Sequence, residues 1–303
     1  MINKKRLIKT FTDLVKIDSE SRNEVDVARY IKNKLNKLGI KYKIDKSAVL
    51  TKSNHGNIIA KLGSKKNLPT ILLSSHMDTV TNGLGIKPVI KRDSITSDGR
   101  TILGADDKSG LAIILETLEI LKRKKLNHYN VEAAITTCEE IGLLGAKFLD
   151  YNLLNSREGI VLDSTSPERL VYKGPSSDYF NIIVQGVEAH SGINPEKGIS
   201  SITASADIIS KMRTGRINSN STINIGKING GSAINIVPGR TEINCEIRSH
   251  NENTIKIELG KIKKIIENVN KKYKKINKKF NAKIKINRIY DSINIPKNSL
   301  IIK

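Results

Sequence analysis

Three short apolar stretches in this chain share a pattern that narrows the fold more than any other feature. Each reads as a β-strand, and each runs directly into carboxylates or an imidazole. Thr70 to Ser75 leads into His76-Met77-Asp78, Asn130 to Thr137 into Glu139-Glu140, and Gly159 to Leu162 into Asp163. A fourth site is the turn Leu103-Gly104-Ala105-Asp106-Asp107-Lys108-Ser109-Gly110, which opens a helix carrying Leu111, Ile114, Leu115, Leu118 and Leu121. Strands alternating with helices imply an α/β sheet. In such sheets ligands gather outside the carboxyl ends of the strands. Acids converging at one sheet end repel one another unless cations lie among them. An all-oxygen and imidazole donor set suits zinc, manganese or cobalt rather than a thiolate site.

Local geometry supports this reading. Strand side chains alternate with period two, so His76 and Asp78 point to one side, as a metal ligand and its orienting partner should. At the helix start the dipole favours acids, so one of Asp106 and Asp107 can equally serve as a cap.

Upstream, residues 3–16 read as an amphipathic helix with Leu7, Phe11, Leu14 and Val15 on one face. Asp18-Ser19-Glu20-Ser21 breaks it. Ser21 and Asn23 are candidate caps for a second helix that ends at Gly39. Tyr42 to Asp45 and Asn57 to Leu62 read as strands, Lys87 to Thr96 as strand-like pieces, and Leu144 to Leu149 as a short helix. After about residue 173 the pattern changes to strands at 179–185, 222–228, 241–248 and 281–289, with helices at 199–212 and from Ile255 onward. The last helix places Ile255, Leu259, Ile262, Ile266, Val269, Tyr273 and Ile276 on one face. That is the pattern of a small α+β domain.

Composition sets bounds on function. Of 303 residues 38% are hydrophobic, which suffices for packed cores. The net charge is +22, and residues 261–288 alone hold eleven Lys, one Arg and the single acid Glu267. A basic stretch of this kind can bind nucleic acid, but the spacing is helical throughout, so the lysines read as a solvated face and nucleic acid ranks well behind. Lys9, Asp13 and Lys16 interrupt the N-terminus too early for a signal peptide, and no apolar run is long enough to span a membrane. Two scattered cysteines, Cys138 and Cys245, make no disulfide framework. A cytoplasmic protein with no membrane partner is expected.

The residues resemble the M20 metallopeptidases in Ser75-His76-Met77-Asp78-Thr79-Val80, Gly104-Ala105-Asp106-Asp107-Lys108-Ser109-Gly110, Glu139-Glu140, Leu162-Asp163-Ser164 and Glu188-Ala189-His190-Ser191-Gly192. The motifs occur in the family's order over nearly the whole chain, and their wording resembles the peptidase T-like branch. The resemblance implies an α/β catalytic domain with a mixed, mostly parallel sheet flanked by helices, over residues 1–173 and 288–303. It also implies an inserted α+β lid over 174–287, through which a homodimer can form. It implies two Zn2+ ions, with Mn2+ or Co2+ as alternatives. His76, Asp106, Glu140 and Asp163 would be metal ligands, Asp106 bridging. Asp78 would hold the imidazole, Glu139 would be the general base, and His190 would stabilise the tetrahedral intermediate in its own chain or in a partner. Asn235 and Arg248 would hold the substrate. A guanidinium suits a carboxylate clamp, although Arg248 reads equally as a strand-surface charge.

The function so implied is an aminopeptidase acting on tripeptides or other short peptides. A carboxypeptidase or N-acyl amino acid deacylase of the same family is the first alternative, and a non-catalytic basic protein on a decayed scaffold the second. The family also carries a last metal-binding histidine near its C-terminus. The histidines here are His55, His76, His128, His190 and His250. With none after residue 250, the chain is expected to be a fragment or a truncated product, short of one ligand and weakly active or inactive.

Overall fold

The structure, a computed structural model, describes residues 2–64, 68–124, 126–164 and 166–302. It divides into two units, Met1–Arg169 with Lys297–Lys303, and Leu170–Pro296.

The first unit begins with α1 (Lys4–Val15) and α2 (Val25–Lys37). Asn3 caps α1, its side chain accepting the Arg6 N–H. The sequence suggested Ser21 and Asn23 as caps for α2, and the structure corrects this. The N-cap residue is Glu24, without a side-chain cap bond, and the Val25 N–H donates instead to Asn54 Oδ1 at 2.9 Å. Gly39, at φ +61°, turns the chain out of the helix, as expected of a glycine just past a C-cap. There follow β1 (Lys41–Ile44), a short helix α3 (Ser47–Thr51) that the pattern did not reveal, β2 (Ile58–Leu62) and β3 (Thr70–His76). A small hairpin, β4 (Val89–Ile90) with β5 (Ile95–Thr96), leads to α4 (Ala105–Lys124), β6 (Asn130–Thr136), α5 (Leu144–Lys147) and β7 (Glu158–Val161).

The sheet order is β1-β2-β6-β3-β7. β3 pairs in parallel with both β6 and β7, while β2 runs antiparallel to β1 and β6. All strands of this sheet except β2 therefore point the same way, and the carboxyl ends of β6, β3 and β7 lie side by side. α4 packs against β3, and α1 and α2 pack on α4. The core between them contains Leu14, Ile31, Leu35, Ile58, Leu111, Ile114, Leu118 and Ile135, all fully buried. Each such side chain contributes about 1.5–3 kcal/mol by leaving water, which gives the strand ends a rigid floor.

The second unit opens with β8 (Lys173–Gly174) and β9 (Ser176–Gln185), then α6 (Ser201–Ile209) and β10 (Gly215–Asn218). It continues with β11 (Ser221–Gly230), β12 (Arg240–Ser249), α7 (Glu252–Lys274), β13 (Asn281–Tyr290) and β14 (Ile293–Asn294), which pairs with β8. The main sheet, ordered β10-β11-β12-β9-β13, is antiparallel throughout. Alternation along β9 and β12 buries Phe180, Ile182, Val184, Ile243 and Ile247 against α6 and α7. Tyr273 of α7 stacks on Phe280, ring centroids 4.9 Å apart. The apolar face of α7 is as the spacing predicts up to Tyr273. Ile276 lies past the helix end and is exposed, because the chain has already turned. The α7 lysines face solvent. Among the described residues no helix is long and apolar enough to cross a membrane.

Candidate metal centre

The strand ends of the first unit and the start of α4 bring five donors together. His76 is the last residue of β3, Glu139-Glu140 follow β6, and Asp163 follows β7 after the Leu162 N–H donates to the Ser74 carbonyl. Asp106 comes from the start of α4, where Asp106 and Asp107 depart from helical φ/ψ and are joined by a cis peptide bond. The two acids of that turn divide the roles the sequence left open. Asp107 is buried and accepts the Gly110 N–H on Oδ1 at 3.0 Å, a capping contact. Asp106 projects outward, its Oδ1 3.1 Å from His76 Nε2. Glu139 Oε2 lies 4.0 Å and Asp163 Oδ2 3.9 Å from the same nitrogen.

Two overlapping triads result, His76 with Asp106 and Glu140, and His76 with Glu139 and Asp163, the donor atoms of each lying within 4.8 Å of one another. The other ring nitrogen is occupied. His76 Nδ1 is 2.9 Å from the Asp78 carbonyl and 3.5 Å from its carboxylate. A proton on Nδ1 leaves the Nε2 lone pair directed at the acids, the tautomer a metal-ligating histidine needs.

Asp78 is fully buried and does more than orient the ring. Its Oδ2 accepts from Ser21 Oγ at 2.7 Å and from the Glu140 N–H at 3.1 Å, and its Oδ1 from the Glu139 N–H at 2.9 Å. Burial opposes its charge, but the hydrogen bonds from His76, Ser21 and the Glu139 N–H outweigh burial and hold it below the ordinary carboxylate range. One carboxylate thus fixes both the imidazole and the backbone of the glutamate pair.

The electrostatics fit a cation. Burial first, then the charge of Asp163 and neighbouring acids, pushes Glu139 up to about 7 against the pull of His76. Burial and Asp163 likewise raise Asp107 to about 6. Glu140 and Asp163 are raised by burial and by Asp106. His76 goes the other way. Burial would lower it, but Asp78, Glu139 and Asp107 carry it to about 10. Beside the cluster Asp107 Oδ2 is buried and, among the described residues, has no hydrogen-bond partner. Acids that raise one another around a single imidazole form a pocket short of positive charge, and its hard oxygen and nitrogen donors fit divalent zinc, manganese or cobalt.

Residues absent from the sequence-based site support it from behind. Ser21 donates to Asp78, where a helix cap was expected. Lys108, 1% exposed, donates to Ser19 Oγ. Glu20 Oε1 accepts the Gly83 N–H, and Asp18 Oδ1 the Gly85 N–H. Segment 18–21 therefore braces the loop after His76. The Asp18-Ser19-Glu20-Ser21 run was visible as a polar break, but its partners lie more than fifty residues away, beyond any spacing rule.

His190, Asn235 and Arg248 belong to the second unit. His190 is exposed at a bridge to Ile236, and the Ser191 N–H donates to the Asn235 carbonyl, so His190 and Asn235 lie on neighbouring backbone. His190 Nδ1 accepts the Gly192 N–H at 3.2 Å, which leaves the proton on Nε2. Arg248 sits on β12, its Nε donating to Glu246 Oε1 at 2.7 Å.

The chain is similar to known proteins. Residues 176–274 match the peptidase dimerisation domain, and residues 57–192 match peptidase family M28. The chain is 40% identical over 268 residues to the uncharacterized protein YqjE of Bacillus subtilis, covering 88% of this chain and 72% of that protein. It is similar in structure to aminopeptidase PepT from Bacillus cereus, at 38% identity and a TM-score of 0.91, covering 99% of this chain and 80% of that one. A tripeptidase from Staphylococcus aureus is similar at 35% identity with the same TM-score and coverage.

Proposed function

The chain belongs to the M20 peptidase family, in its peptidase T-like branch, and from that membership we propose that it is a cytoplasmic metal-dependent exopeptidase that removes the N-terminal residue of tripeptides and other short peptides. The observation that carries this reading is the convergence of His76, Glu139, Glu140 and Asp163 at adjacent strand ends with Asp106 at the start of α4, in two triads whose donor atoms lie within 4.8 Å of one another. Similarity over 99% of the chain to an aminopeptidase and a tripeptidase supports the substrate class.

In this reading His76, Asp106, Glu140 and Asp163 would be ligands to two Zn2+ ions, with Mn2+ or Co2+ able to take their place. Bound there, the ions would polarise the scissile carbonyl and acidify a water. The chain's own residues do the rest. Asp78 keeps the His76 proton on Nδ1, so that Nε2 stays a ligand. Glu139, half-buried at the end of β6 with its Oε2 4.0 Å from His76 Nε2, is the carboxylate placed to exchange a proton beside the centre. Its Oε2 takes the proton from the attacking water and returns it to the leaving amine. On the second unit, His190 with its proton on Nε2 can donate to a developing oxyanion. Arg248 and Asn235 hold the substrate's polar groups, the guanidinium as a carboxylate fork. We propose further that the second unit, through its dimerisation-domain segment, pairs two copies of the chain.

The test is to assay zinc-loaded and chelator-stripped protein on free tripeptides, N-blocked peptides and acyl amino acids. Metal-dependent release of the N-terminal residue from free tripeptides is expected, at the weak level that a centre short of one histidine ligand allows. Cleavage confined to N-blocked peptides or acyl amino acids would replace the aminopeptidase by a carboxypeptidase or deacylase.

A further inference from the structure

Glu24 is a fully buried carboxylate far in sequence from every expected site residue. It stands at the N-cap of α2, yet its side chain makes no bond to that helix. Its Oε1 accepts the Cys138 N–H at 2.9 Å, the Arg22 N–H at 3.0 Å and the Cys138 thiol at 3.4 Å. Its Oε2 accepts the Ser53 hydroxyl at 2.5 Å. Cys138 is the residue before Glu139-Glu140, and its φ of +53° is in the left-handed region that a side chain disfavours. The next two N–H groups, of Glu139 and Glu140, donate to Asp78. Three consecutive backbone donors are thus held by two buried carboxylates, Glu24 gripping the first and Asp78 the other two. Between them they fix the turn by which β6 presents its glutamates. Lys108, buried with its ammonium on Ser19, supplies positive charge beside both acids.

We propose that Glu24 is a positioning residue of the metal centre: through the Cys138 N–H it holds the left-handed turn that aims Glu139 and Glu140 at the cluster. The proposal rests on the metal-centre reading above. Groups that orient ligands from behind typically change metal affinity or activity by about 10–100-fold when lost. Glu24 touches no member of the triads, so its effect must pass through the geometry of the turn. A carboxylate one methylene shorter keeps the charge but not the reach to Cys138. An amide of the same length keeps the reach and an acceptor oxygen but loses the charge.

The experiment is a Co2+ titration of wild type, Glu24→Asp and Glu24→Gln. Cobalt absorption is followed under chelator competition, and the folded fraction is read by circular dichroism on the same samples. Per folded molecule, Glu24→Asp is expected to bind Co2+ at least ~10-fold more weakly, with Glu24→Gln within about threefold of wild type. On tripeptides the Asp variant lowers kcat and leaves KM nearly unchanged, since substrate contacts are untouched. Wild-type affinity in Glu24→Asp, or a Gln variant impaired as far as the Asp variant, overturns the proposal. A wild type that binds no Co2+ instead overturns the metal-centre reading on which the proposal stands.

Discussion

Replacing Asp78 by asparagine separates the structure's two demands on one side chain. The carboxylate accepts the Glu139 N–H on Oδ1 and the Glu140 N–H on Oδ2, with the Ser21 hydroxyl also on Oδ2. An amide has one acceptor oxygen, so in either flip one of these N–H groups faces an NH2. The Ser21 hydroxyl can rotate to accept, but a backbone N–H cannot. A hydrogen bond to a charged group contributes about 1.5–3 kcal/mol, and a buried donor left unsatisfied costs about 1–3 kcal/mol. Removing the charge relieves some desolvation, but Asp78 sits below the usual carboxylate range, so the site favours the charged form on balance. A net local loss of about 2–4 kcal/mol follows. At 1.4 kcal/mol per factor of ten, that is roughly a 30- to 1,000-fold faster amide exchange at residues 139 and 140. Hydrogen-exchange mass spectrometry of the segment after β6, in metal-free protein, reads this directly. Unchanged protection at 139 and 140 with a folded sheet would refute the assignment of Asp78 as the anchor of the glutamate pair.

Other consequences are equally specific. Glu139→Gln should lower kcat on tripeptides by at least ~10²-fold while keeping Co2+ affinity within a few-fold, because Asp163, Asp106 and Glu140 remain; steady-state kinetics beside a metal titration checks both. At Gly145 an added Cβ would fall inside contact distance of the Thr137 carbonyl oxygen and lie 2.7 Å from the Thr137 nitrogen and 2.8 Å from Asn57 Oδ1. Two of those atoms are backbone and cannot rotate away, so Gly145→Ala should destabilise the first unit by about 3 kcal/mol, the upper end for overpacking, measured by urea unfolding. Glu132 on β6 is buried, which alone would raise it, but Lys61 at 2.7 Å and donors from Ser156 and Asn155 bring its pKa below the usual value. A carboxyl lowered by folding adds stability above its unfolded pKa and loses it as pH falls through the folded one. Wild type should therefore lose stability below about pH 4.3 faster than Glu132→Gln, a difference that acid titration of the unfolding midpoint reveals.

How much of this was legible in the sequence depended on distance along the chain. His76, Glu139, Glu140 and Asp163 could be read because each follows its apolar strand within a few residues, and a strand end is a local signal. The split between Asp106 and Asp107 came only from the family resemblance, since both acids suit a helix start and only packing decides which turns inward. Ser21 looked like a cap because serine commonly caps helices, yet Asp78, 57 residues away, claims its hydroxyl. Glu24 gave no signal at all, for its partner Cys138 lies 114 residues on. The antiparallel placement of β2 within the sheet was equally hidden, because an apolar strand pattern has no direction. The face of α7 was legible to Tyr273 and failed at Ile276, where periodicity continues but the helix does not.

The most direct test of the central claim is a calorimetric titration of Zn2+ into chelator-stripped protein beside His76→Ala. Tight binding is expected in the wild type and is lost or severely weakened in the variant, whose second unit stays folded. Equal zinc binding by the two proteins, or none by the wild type, would contradict it.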